Sequence, residues 1–190
     1  MADTIRTESD LLTNLFQNGQ AANSITAQDM RDLIVSMRPG FSNTSMQSNG
    51  TATTISSAGT YYKVAGTTAL SGDEYLFDDD SGTSNRLRYI GAAERLVIVK
   101  TNLSVKAASN NQNVSFKMYL YDDSGASGAT ITDSLVTQYI TSTSDEEAVT
   151  IICHGIMATN DYLEVHVTNE TSTANVTIVD MSIHAMAYFK

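Results

Sequence analysis

Tyr162-Leu163-Glu164-Val165-His166-Val167-Thr168 alternates strictly between apolar and polar side chains. A polar stretch from Asn169 to Asn175 follows, and Val176-Thr177-Ile178-Val179-Asp180-Met181-Ser182-Ile183-His184-Ala185-Met186-Ala187-Tyr188-Phe189 alternates again. Alternation with a period of two marks a half-buried β-strand, because successive side chains leave a strand on opposite faces. A long terminal strand stays disordered unless a sheet takes it up. The preceding chain is therefore expected to supply partner strands.

It does so from residue 60 onward. Strand candidates are Tyr61–Ala65, Tyr75–Phe77, Arg86–Ile90, Arg95–Ala107, Val114–Tyr121, Leu135–Ile140 and Val149–Cys153, in addition to the two that end the chain. The connections are polar, as in Asp122–Thr130 and Thr141–Glu147, and no helical periodicity intervenes. Many short strands with polar turns predict a mainly β fold, an antiparallel two-sheet jelly-roll sandwich.

The first 40 residues read differently. Thr7-Glu8-Ser9-Asp10 precedes Leu11, Leu12, Leu15 and Phe16, and Asn18-Gly19 ends that first helix. Thr26 caps a second helix with Asp29 three residues on, and Ile25 is placed to staple onto Met30. Met30, Leu33, Ile34 and Met37 form one apolar stripe, and Pro39-Gly40 stops the helix. Two short helices cannot build a core of their own. Ile25, Met30, Leu33, Ile34 and Met37 are therefore expected to anchor the chain to a partner. Residues 41–58, rich in Ser, Thr and Asn, read as a linker. The expected organisation is a helical segment over 1–40, a linker over 41–58 and the sandwich over 59–190.

Lys plus Arg number 11 and Asp plus Glu 21, for a net charge of −10. An acidic chain lacks the basic footprint that nucleic acid requires and is repelled by anionic membranes. Nothing approaches the length of a membrane span, and no apolar signal segment follows Met1, so neither membrane insertion nor export by such a signal is expected. Cys153 is the sole cysteine, which excludes an internal disulfide, and its place in Val149-Thr150-Ile151-Ile152-Cys153 makes it a core residue. Asn-x-Ser/Thr tripeptides, as at Asn49, Asn169 and Asn175, are read as compositional.

Side-chain phase separates two faces. Val114, Phe116, Met118 and Leu120, then Leu163, Val165 and Val167, then Val179, Met181, Ile183, Ala185 and Ala187 are assigned to the core. The opposite phase carries Tyr119, Tyr121, Tyr162, His166, His184, Met186 and Tyr188. Interfaces are enriched in aromatic and Met side chains. If these strands share one sheet, that face is expected to be covered by further copies of the chain.

The pattern resembles the tumour-necrosis-factor-like (complement globular head) jelly roll. The resemblance is carried by Gly59-Thr60-Tyr61-Tyr62-Lys63-Val64, Glu94 to Lys100, Phe116 to Tyr121, Asp161 to Val167 and His184 to Phe189. In that family the first, last and two middle strands form an inner sheet around a threefold axis, which implies a homotrimer. Gly19-Gln20-Ala21-Ala22-Asn23-Ser24-Ile25-Thr26-Ala27-Gln28-Asp29-Met30-Arg31-Asp32-Leu33-Ile34-Val35-Ser36-Met37 resembles the leader of tailed-bacteriophage structural proteins. Together the two resemblances imply a virion surface protein, a head fibre, decoration protein or short tail fibre. It would assemble in the host cytoplasm and attach to capsid or tail proteins through residues 1–40. The alternative is a tail-fibre module that recognises a host surface glycan or protein.

No catalytic constellation is present. No Gly-x-Ser-x-Gly or His-Glu-x-x-His occurs, and the three histidines all lie on or at the end of predicted strands. An enzyme is not expected, nor a cofactor. Loop carboxylates suit Ca²⁺, and Asp78, Asp80 and Asp122 are the candidate ligands.

Overall fold

The computed structural model describes residues 4, 6–7, 10–15, 25–72, 74–79, 85–122 and 128–189. Among them run twelve strands: β1 (Gly40–Met46), β2 (Tyr62–Lys63), β3 (Ala69–Leu70), β4 (Phe77–Asp78), β5 (Leu87–Tyr89), β6 (Arg95–Ala107), β7 (Gln112–Tyr121), β8 (Gly128–Thr130), β9 (Val136–Ile140), β10 (Glu147–Met157), β11 (Tyr162–Asn169) and β12 (Val176–Phe189). They form two sheets. The first has the order β10-β6-β12-β1-β3, and the second β4-β5-β11-β7-β8, with β2 added on β11 and β9 on β7. Every pairing is antiparallel. The chain is a mainly β jelly roll, as the alternation of its last two strands requires.

The core lies between the sheets. Phe116, Met118, Val165 and Val167 of the second sheet face Val97, Val99, Ile151 and Ile183 of the first, and all are buried. Cys153 is part of this core, and burial, together with nearby Asp133, pushes its thiol up to about 11. That thiol is inert packing.

β1 departs from the sequence reading. The expected linker begins at Phe41, yet Gly40–Met46 pairs along its whole length with β12, from Gly40↔Ala187 to Met46↔Met181. Its inward row is Gly40, Ser42, Thr44 and Met46, so burial alternates without apolar alternation. The first position of that row is tightly enclosed. A Cβ on Gly40 would already lie 3.0 Å from the Tyr75 carbonyl oxygen. The following residues also belong to the sandwich. Thr53 bridges Val176, and Ile55 is 2% exposed. Asn49 donates to the carbonyls of Ile178 and Ala65 at 2.8 and 3.2 Å, and Asn169 is fully buried, so these two of the tripeptide asparagines are structural.

One phase error has a local cause. The register of β12 against β6 shifts between Ile178 and Asp180, the mark of a β-bulge. Ile178 is therefore fully buried, while Val179, expected in the core, is half-buried.

Before β1, Leu11–Leu15 forms one π-helical turn and Ala27–Met37 an α-helix. Phe16 and Asn18-Gly19 lie outside the described residues. The capping box forms as expected: Thr26 Oγ accepts from Asp29 N–H, and the Asp29 carboxylate accepts from Thr26 N–H at 2.8 Å. The facing of this helix is inverted relative to its composition. Asp32 and Ser36 are its buried residues. The Asp32 carboxylate accepts from Thr4 N–H at 2.8 Å and from Arg6, and Ser36 Oγ accepts from Arg6 N–H. Met30, Ile34 and Met37 point outward, 45%, 66% and 57% exposed. Ile25 is exposed too, so the expected staple onto Met30 does not bury either residue. The helix is joined to the sandwich by Arg95, which is 1% exposed. Its guanidinium donates to the carbonyl oxygens of Ser36 and Arg38, at the helix C-terminus, where the macrodipole favours a cation.

Candidate functional site

The seven side chains expected on one interface divide between two sheets. Tyr119, Tyr121, Tyr162 and His166 stand on the outer face of the second sheet. His184, Met186 and Tyr188 stand on the outer face of the first, on the opposite side of the molecule. The expectation that one sheet gathers them fails because β12 pairs with β6 and β1, while β11 pairs with β7.

On the second sheet the aromatic residues are used within the chain. Register places Tyr121 beside Tyr162, Tyr119 beside Glu164 and Lys117 beside His166. Tyr121 stacks on Tyr162 at 4.9 Å between centroids, and Tyr119 on His166 at 4.0 Å. At the centre lies Glu164, 4% exposed. Lys63 Nζ donates to its Oε1 at 2.7 Å, Arg86 donates to the same oxygen from Nε and Nη2 at 3.2 and 3.1 Å, and His166 Nε2 lies 3.1 Å from Oε2. The Arg86 guanidinium also covers the Tyr162 ring at 3.6 Å. Burial alone would raise the Glu164 carboxyl. The hydrogen bonds shared with His166 and Lys63, the Lys63 charge and Arg86 outweigh it and hold the group at about 2. Sequence reading misses this network because Lys63 and Arg86 lie far away in the chain, in or beside strands of two and three residues that only the fold brings to β11.

The outer face of the first sheet is different. Reading across β10, β6, β12 and β1, the registers set out three rows: Ile156, Leu96, Tyr188; then His154, Ile98, Met186, Phe41; then Ile152, Lys100, His184, Asn43. Ile98, Ile152, Ile156, Met186, Tyr188 and Phe41 are each 39–63% exposed. Six large apolar side chains thus form one continuous surface that stays exposed among the described residues. The next rows are polar and line an open hollow of about 400 Å³ between Ser45, Ser48, Asn102, Ser104, Asp180 and Ser182. A signal for this face is present in the sequence. With Ile151 and Cys153 inward, Ile152 has to point outward, and with Val97 and Val99 inward, so does Ile98.

Of the remaining candidates, Leu33 is half-buried, and Ile25, Met30, Ile34 and Met37 line the outward side of the helix. Asp78 is held by Arg88, whose Nε and Nη2 donate to its two oxygens at 2.9 and 2.8 Å. Asp80 lies outside the described residues, and Asp122 follows the last residue of β7. Among the described residues no group of three or more His, Cys, Asp or Glu side chains is arranged to hold a metal ion, and no helix is long and apolar enough to cross a membrane.

No family model matches the chain, and no curated protein matches it. Solved structures do. Murine APRIL, in crystals at pH 5.0, is 4% identical with a TM-score of 0.54, over 79% of this chain and 99% of that one. Eiger TNF from S. frugiperda is 10% identical over 80% and 94% with a TM-score of 0.47. The globular domain of zebrafish complement 1qA is 4% identical over 80% and 98%, also at 0.47. The likeness that exceeds a TM-score of 0.5, to murine APRIL, is one of fold alone.

Proposed function

We propose that this chain is a non-enzymatic structural module that assembles into a homotrimer through the outer face of its first sheet. The observation that carries the proposal is the apolar half of that face. A contiguous exposed apolar surface of this kind marks an interaction site. Its occupant is a second copy for two reasons. β1, β6, β10 and β12, the first strand, the last and two between them, form one sheet, the kind of sheet that the family resemblance places around a threefold axis, with β1 taking the place expected of the strand at Gly59–Val64. In addition, copies carrying a net charge of −10 repel one another where carboxylates meet, and the three rows that carry these apolar side chains contain none, so this is where two copies can meet. Tyr119, Tyr121, Tyr162 and His166 have no part in this contact.

The location proposed for the trimer is the surface of a tailed-phage particle, supported by the leader resemblance over Gly19–Met37 and by the outward stripe Met30, Ile34 and Met37. These stand at i, i+4 and i+7, the spacing with which a helix enters a partner's groove. The face with Tyr121, Tyr162 and Arg86, on the side away from the trimer contact, is then left for a host-surface glycan or protein.

The test is Ile98→Asp and Ile152→Asp, each examined by light scattering and far-UV circular dichroism. Folded monomers support the assembly face. Variants that stay trimeric and folded refute it.

A further inference from the structure

Three histidines occur in the chain. His166 is buried beneath the aromatic layer of the second sheet, whereas His154 and His184 are both exposed and both stand on the apolar half of the first sheet. His154 lies directly across from Ile98, and His184 directly across from Lys100 in the next row. The two imidazoles therefore flank β6 from opposite sides, one row apart, about 7 Å along the strand direction.

The charged groups around them are few. β6 contributes Lys100 and, at its far end, Lys106, which pairs with Glu146 at 2.6 Å. β12 contributes Asp180, opposite Ser104 and two rows from Lys100, about 13 Å away, where it accepts from Ser48 N–H at 2.9 Å. Glu94 precedes β6, two rows before Ile98. β1 and β3 carry no charged residue, and β10 offers only His154 to this face, Glu147 lying in the inward phase. Among the described residues no carboxylate shares a row with either histidine.

Covering this face withdraws both imidazoles from water. Neutral imidazoles tolerate this at modest cost, because an uncharged ring loses little solvation. Imidazolium ions do not: each is desolvated, His184 lies directly across from Lys100 and His154 one row from it, and every added copy brings its own pair and its own Lys100. Histidine is the side chain that makes this change of charge between pH 8 and 5.

We infer that assembly through the first sheet is gated by pH, with protonation of His154 and His184 separating the subunits. The inference rests on the assembly reading above and names its regulation. Each proton that must leave on association weakens the assembly about tenfold per pH unit once the imidazoles are protonated in the free subunit.

The experiment is sedimentation equilibrium of the full chain at about pH 7.5 and pH 5.5, with EDTA present so that the imidazoles act as bases and not as metal ligands. The H154Q/H184Q double variant is measured beside it, and circular dichroism confirms that both remain folded at both pH values. The wild type is expected to dissociate at least about tenfold more readily at the lower pH. The double variant, whatever its affinity at pH 7.5, should show the same affinity at both. A wild-type affinity that does not change with pH overturns the gating and leaves the assembly standing. An equal pH response in the double variant also overturns it, since other groups are then responsible. A wild type that is monomeric at pH 7.5 at every concentration removes the assembly reading, and the gating with it.

Discussion

Glu164→Gln is the most informative single substitution in the folded subunit. It keeps the shape of the side chain and removes the charge that Lys63, Arg86 and His166 surround. The carboxyl is held at about 2 against an ordinary 4.5. A displacement of that size is worth about 3 kcal/mol of folding stability, at 1.36 kcal/mol per pH unit. The sign is that of a depressed carboxylate. The stabilisation is fully present above pH 4.5, declines as the unfolded chain takes up a proton, and is gone once the pH falls through 2. Integrating that linkage, the wild type loses about 2 kcal/mol of this contribution between pH 7 and pH 3. Urea unfolding of both proteins at matched concentration measures it. The Gln variant is expected to be less stable by about 3 kcal/mol at pH 7 and by only about 1 kcal/mol at pH 3, because other carboxylates titrate alike in both proteins and cancel. A stability gap that is the same at both pH values would refute the reasoning, since it would mean that the loss comes from packing and not from charge.

Three further outcomes follow from the same structure. Tyr188→Asp should yield folded monomers, whereas Tyr162→Asp, on the opposite sheet, should keep the assembly and lower stability by about 1–2 kcal/mol through loss of the Tyr121 stack and the Arg86 contact; if the two variants exchange these behaviours, the assignment of the faces is wrong. Arg95→Met should free the C-terminus of the helix Ala27–Met37 at a cost of about 1–3 kcal/mol, read as faster hydrogen exchange in the helix with β6 still protected; unchanged exchange would show that Arg95 does not hold it. Gly66→Ala should cost about 1–3 kcal/mol in thermal or urea unfolding, because φ is +123° and the new Cβ would overlap Met46 Sδ; a neutral substitution would contradict the close approach of these segments.

Strands that carry their own apolar alternation are legible in the amino-acid sequence alone. Arg95–Ala107 and Val176–Phe189 match their predicted limits, and the core phase of Phe116, Met118, Val165 and Val167 follows from it directly. β1 is not legible because Ser42 and Thr44 occupy its inward row, so the sheet supplies the burial that the residues do not advertise. The outward turn of Met30, Ile34 and Met37 is hidden for the opposite reason. An apolar stripe reads as a buried face, and here the contacts of Asp32 and Ser36 with Thr4 and Arg6 turn the polar side inward instead. The candidate site is half visible. His184, Met186 and Tyr188 do stand on a non-core face, as their phase requires, but phase tells inward from outward and cannot tell which of two sheets a strand joins. That choice is made by pairing: β12 with β6 and β1, β11 with β7. It separates these residues from the tyrosines of the second sheet and adds Ile98, Ile152, Ile156 and Phe41 beside them.

The measurement that tests the central claim most directly is the solution mass of the full chain near pH 7.5 by sedimentation equilibrium. A subunit of 20.5 kDa assembled as proposed has a mass of 3 × 20.5 = 61.5 kDa. A species of that mass, reduced to 20.5 kDa by Ile98→Asp with the circular dichroism unchanged, is the predicted result. A wild-type mass of 20.5 kDa across the accessible concentration range would contradict it and leave the apolar face of the first sheet without its proposed occupant.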